Sequence, residues 1–131
     1  MLIDANIFLE LFLNQEKAEN CRIFLNKTFS GEEKAIVSTF TIDSIIITLE
    51  TKKVSYEKIS LMIAKIMQSE GIAIYRPTLK DRAKSLQLIK KYSLDYEDAL
   101  TLQCAISTDC KNILSFDKHF NKVKEIKRIE P

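Results

Sequence analysis

The fold is decided by the opening residues, Met1-Leu2-Ile3-Asp4-Ala5-Asn6, with Ile7, Phe8, Leu11 and Phe12 behind them. A very short apolar run ends in an aspartate, and helical spacing of apolar residues begins almost at once. This predicts a strand whose carboxyl end presents Asp4, followed by a helix. Open α/β sheets place ligands just outside the carboxyl ends of their strands, so Asp4 is a candidate site residue. The same stretch also suits a plain helix cap by Asp4 or Asn6. A second strand that ends in the same way, residues 112–116 before Asp117, tips the reading toward a site.

Between these two strands the chain alternates. Strands are expected at Ala35–Ser38 and Ile72–Tyr75, and an edge strand at residues 125–129, whose Lys and Glu residues suit an exposed edge. Helices are expected up to about Lys27 with a break near Asn14, and over residues 41–53, 78–92 and 95–107, with a further turn around His119. Another starts at Ser55, with Gly71 as the glycine just past its end. The 41–53 segment carries Ile42, Ile45, Ile46, Ile47 and Leu49, so it is expected to be buried on most sides or to sit in a subunit contact. Strands alternating with helices imply parallel pairing and right-handed crossovers. The expected architecture is a three-layer α/β/α fold, a central parallel sheet of four to five short strands flanked by helices, in one domain over residues 1–131.

Composition narrows the class. The chain has 131 residues, 46% hydrophobic and 29% charged, as in a globular protein with a sizeable core. No apolar run is long enough to span a membrane, and the N-terminus does not read as a secretory signal. Cys21, Cys104 and Cys110 are an odd number without metal-ligand spacing, which fits plain thiols in a reducing cytoplasm. His119 is the only histidine, which argues against a histidine-rich zinc site. A net charge of +2 does not by itself imply nucleic acid. From Lys111 onward, however, six bases face three acids, a distribution that suits phosphates or equally a solvated lysine-rich surface.

Five acids sit where elements begin or end: Asp4, Asp43, Asp95, Asp98 and Asp117. In a doubly wound sheet the first and fourth strands are neighbours at the switch point, which brings Asp4 and Asp117 together. Helices starting at that end would add Asp43 and Asp98. Two carboxylates about 4 Å apart repel by roughly 4 kcal/mol at an effective dielectric of about 20. A divalent cation reverses that sign, and an all-oxygen set suits Mg²⁺ or Mn²⁺. Each acid also has a plainer reading. Asp95 reads first as an N-cap, Asp98 as a first-turn acid on the helix dipole, Asp43 as a surface acid, and Asp117 as the cap of the turn at residues 118–120. Ser115 either turns its hydroxyl toward the same place or merely finishes a strand.

These motifs, in this order, resemble the PIN domain family. Leu2-Ile3-Asp4-Ala5-Asn6 is similar to its opening motif, and Val37-Ser38 leading into Thr41-Ile42-Asp43 to its second. Asp98-Ala99-Leu100 with Leu102 and Ala105 is similar to the third, and residues 113–120, with Ser115, Asp117 and Phe120, to the last. The departure lies in the second motif, where many relatives place a glutamate. Here Asp43 or Ser44 falls there, and Glu50 lies seven residues after Asp43 on roughly the same helical face. Asp43 is preferred. The resemblance implies a metal-dependent, single-strand-specific ribonuclease in which Asp4, Asp43, Asp98 and Asp117 bind Mg²⁺ or Mn²⁺. Asn6 and Ser115 support them, Asp95 is a further candidate, and a water activated at the ion site attacks the RNA phosphate. It further implies a toxin of the VapC kind, a homodimer, with an antitoxin as protein partner. Two other readings compete: a receiver-like domain, which would want an aspartate where Tyr75-Arg76-Pro77 stands, and a PIN-like RNA-binding or scaffold module with a weakened site.

Overall fold

β1 (Leu2–Ile3) is the hub of the sheet although it is only two residues long. Successive side chains on a strand point to opposite faces, so Leu2 enters one apolar cluster and Ile3 the other, both fully buried. β1 pairs in parallel with β2 (Ala35–Ser38) on one side and β4 (Asn112–Leu114) on the other. β3 (Ile72–Tyr75) lies beyond β2, and β5 (Lys127–Ile129) beyond β4. The order is β3-β2-β1-β4-β5. The chain builds outward from β1 to β3 and then returns to β1's free side, so the switch point falls between β1 and β4. The structure, a computed structural model, describes all 131 residues.

Helices cover both faces. α1 (Ala5–Phe12), α2 (Ala18–Phe29), α3 (Thr39–Thr51) and α4 (Tyr56–Met67) pack around Ile3, Phe8, Leu25, Ile45 and Met62. α5 (Leu79–Tyr92) and α6 (Tyr96–Ser107) close the other face around Leu2, Leu100, Ile113 and Phe120. The expected three-layer parallel architecture is present.

Several boundaries move for local reasons. The break near Asn14 is real: Asn14 adopts a positive φ of 50° between α1 and α2, which Asn tolerates better than most residues. α3 starts two residues before Thr41, because Ser38 caps it by accepting from the Thr41 N–H at 2.9 Å. α3 is also less enclosed than expected. Thr41, Ile45 and Leu49 form its buried stripe, whereas Ile47 is 61% exposed. Ile45 thus belongs to the protein's own core, and Ile47 is the apolar residue α3 presents outward.

Gly71 does not terminate α4, which ends at Met67 with Gln68 as its cap. It is a site of close approach: a Cβ there would fall 2.2 Å from the carbonyl oxygens of Thr28 and Glu33. The three cysteines are buried and unpaired, and burial pushes the Cys21 and Cys104 thiols up to about 11. No helix is long and apolar enough to cross a membrane.

Candidate active site

The register of β1 against β4 builds the site. Leu2 lies opposite Ile113 and Ile3 opposite Leu114; the Asp4 N–H then donates to the Leu114 carbonyl at 3.1 Å. Asp4 and Ser115 therefore leave the sheet side by side. The Ser115 hydroxyl donates to Asp4 Oδ2 at 2.6 Å and accepts from the Asp117 N–H at 2.9 Å. Asn6 braces the same corner. Its Nδ2 donates to Asp4 Oδ2 at 2.7 Å and to Ser115 Oγ at 2.9 Å, and its Oδ1 accepts from the Phe116 N–H at 3.3 Å.

Asp4 is a helix cap and also stands at the shared strand end. Its Oδ1 accepts from the Ala5 N–H at 2.6 Å, so it caps α1, and its carboxyl is almost wholly buried between two strand ends. Burial pushes that carboxyl up to about 6, against the pull of the hydrogen bonds from Ser115 and Ala5; the charges of Glu97 and Asp117 add to the rise.

α6 brings the third acid. Asp95 is its N-cap, accepting from the Asp98 N–H at 2.8 Å. This fixes the first turn and turns Asp98 inward, where its side chain is only 13% exposed. Burial pushes the Asp98 carboxyl up to about 7, and the charges of Asp117, Asp95 and Asp4 raise it further while His119 opposes them. Asp117 caps the short 3₁₀ turn Lys118–Lys122, accepting from the His119 N–H at 2.8 Å. That turn swings the imidazole back over the acids: His119 Nδ1 lies 3.0 Å from Asp117 Oδ1 and 3.6 Å from Asp98 Oδ2. Ligand atoms of Asp98, Asp117 and His119 all lie within 4.8 Å of one another.

Asp4, Asp98 and Asp117, with Asn6 and Ser115, are therefore gathered at one sheet end. Asp43 is exposed on α3 and accepts no side-chain hydrogen bond. Glu50 lies in the last turn of α3, away from the cluster, with the Tyr56 hydroxyl 3.5 Å from its carboxylate. Motif reading passes over His119, which belongs to this group, and Glu97, which borders it. His119 carries a signal, since it stands two residues after Asp117, but a lone histidine in a sequence speaks mainly against zinc. Glu97 sits beside Asp98 and accepts a hydrogen bond from the Ser44 hydroxyl. A glutamate in a helix's first turn reads as a dipole complement, so nothing in the sequence singles it out.

The chain is thus an α/β/α protein with Asp98, Asp117 and His119 grouped, able to hold a metal ion, at the switch point of a covered parallel sheet. The PIN domain family model matches residues 1–126, and the chain belongs to that family. No curated protein matches it by sequence. Solved structures with the same fold include the VapC20 toxin of Mycobacterium tuberculosis, described as cleaving the sarcin–ricin loop (TM-score 0.76, 12% identity, covering 99% of this chain and 98% of that one). A toxin–antitoxin complex from Klebsiella pneumoniae matches at TM-score 0.70 and 17% identity, over 95% of this chain and 93% of the other. VapBC2 of Rickettsia felis, bound to a DNA fragment of its promoter, matches at 0.69 and 12%, over 98% and 96%.

Proposed function

We propose that this protein is a divalent-ion-dependent endoribonuclease that hydrolyses phosphodiester bonds in single-stranded RNA, and that it is the toxin of a toxin–antitoxin pair. The observation that carries the reading is the convergence of Asp4, Asp98 and Asp117, with two of the three carboxyls held well above their ordinary range. Such an arrangement is unfavourable for a purely structural cluster, and a bound cation would offset both the mutual repulsion of the carboxylates and the cost of burying their charge. The donor set fits Mg²⁺ or Mn²⁺, being carboxylate oxygens with one imidazole beside them.

Asp4, Asp98 and Asp117 would hold the ion and Asp95 would act through the first turn of α6; the motif order adds Asp43 as a candidate, exposed on α3. When bound, the ion supplies charge neutralisation at the phosphate and a nucleophilic water at neutral pH. Ser115 and Asn6 lock the Asp4 rotamer, so the carboxylate is oriented before any ligand arrives. His119, facing Asp98 and Asp117 from the exposed side, is placed to hand a proton to or from a group entering the site. The lysine-rich C-terminal end, with the exposed Lys118 next to Asp117, would hold the RNA backbone.

VapC20 and the two toxin–antitoxin assemblies share this fold, which supports an antitoxin as partner. A homodimer and a cytoplasmic location are proposed on the same footing. The test is cleavage of single-stranded RNA with Mg²⁺ or Mn²⁺, compared with EDTA and with Asp4→Asn. Cleavage confined to the metal-loaded wild type is expected. Equal cleavage in all three removes the nuclease reading, and ion binding without cleavage favours the weakened RNA-binding or scaffold module.

A further inference from the structure

We propose that Glu97 supplies the fourth carboxylate of the ion site, held in place by the hydroxyl of Ser44. This rests on the nuclease reading and names a ligand within it. Successive residues on an α-helix point about 100° apart, so Asp43 and Ser44 do not share a direction. Ser44 is the one that faces α6, because its Oγ donates to Glu97 Oε1 across the gap between α3 and α6. Asp43 is turned away into solvent, and Glu50 is engaged near Tyr56 at the other end of α3.

The α3 position facing the site is thus a neutral serine. The missing charge comes from the opposite helix. Glu97 is the second residue of α6, adjacent to Asp98 and close to the positive end of the helix dipole. Its side chain is long enough to cross to α3. The Ser44 hydroxyl occupies one carboxylate oxygen, Oε1, and leaves Oε2 without a hydrogen-bond donor. Glu97 is thus a carboxylate next to Asp98, fixed at one oxygen by the α3 residue that stands where the motif would put an acid, and open at the other. In this arrangement Ser44 is a positioning residue.

The experiment is Mn²⁺ binding to the metal-free protein, followed by titration calorimetry, for wild type, Glu97→Gln, Ser44→Ala, Asp43→Asn, Asp4→Asn and the double variant Ser44→Glu/Glu97→Gln. Glu97 is exposed, so Glu97→Gln is expected to fold, which thermal unfolding without metal verifies. Its Mn²⁺ affinity should fall by about 10-fold or more, and that of Ser44→Ala by a smaller factor. The double variant moves the carboxylate from α6 to α3 and should recover most of the loss. Wild-type affinity in Glu97→Gln, together with loss in Asp43→Asn or in Asp4→Asn alone, overturns the assignment and leaves the nuclease reading standing. Undiminished affinity in Asp4→Asn as well removes both.

Discussion

Asp98 shows how a single side chain reports on the site. An acid whose carboxyl is raised in the folded state contributes stability that is fully present below its unfolded value and is lost as pH rises through its folded value. With Asp4 at about 6 and Asp98 at about 7, against 3.8 ordinarily, the metal-free protein should lose stability between about pH 4 and pH 7. Asp98→Asn removes the buried charge, and should raise metal-free stability at about pH 8 by roughly 1–3 kcal/mol while flattening the slope. Urea unfolding in EDTA across that range measures both; a variant less stable than wild type at pH 8 would mean the charge is not penalised. At this scale much of the site is legible in the sequence. Asp4, Asp98, Asp117, Asn6 and Ser115 stand out because each lies one or two steps from an element boundary. Glu97 is not legible, because the hydroxyl that orients it lies on another helix, 53 residues away in the chain.

Elements follow from periodicity and caps. Thr78 and Asp81 form a reciprocal capping box that starts α5. Burial works against the charge of Asp81, yet hydrogen bonds from Ser107, Thr78 and Tyr75 hold its carboxyl well below the ordinary range. The network ties the start of α5 to the end of α6, which keeps the helix carrying Asp98 and Glu97 in place. Glycine is where the sequence misleads. Gly71 invites reading as a helix end, but its role depends on the carbonyls of Thr28 and Glu33, which no local pattern reveals. Gly71→Ala should destabilise by about 3 kcal/mol through forced backbone displacement. Gly31→Ala, at a φ of 82° with only side chains near, should cost about 1 kcal/mol. Denaturant midpoints compare the two, and equal losses would refute the packing argument. Similarly, the run of isoleucines in α3 implies enclosure on most sides, yet helical geometry gives one buried stripe and leaves Ile47 outward.

For the whole molecule, strand order does the functional work. β1 lies between β2 and β4, and both faces of the sheet are covered, so Asp4 and Asp117 meet above the carboxyl ends of β1 and β4. The alternation of strand and helix makes the parallel sheet legible, and adjacency of the first and fourth strands follows from double winding. What sequence cannot show is how far each side chain reaches into the shared space, and the fourth acid turns on that distance. An anomalous diffraction measurement on crystals soaked in Mn²⁺ examines that space. A strong manganese peak enclosed by the carboxylates of Asp4, Asp98 and Asp117 is expected. A peak elsewhere on the surface, or none with these three side chains ordered as described, would contradict it.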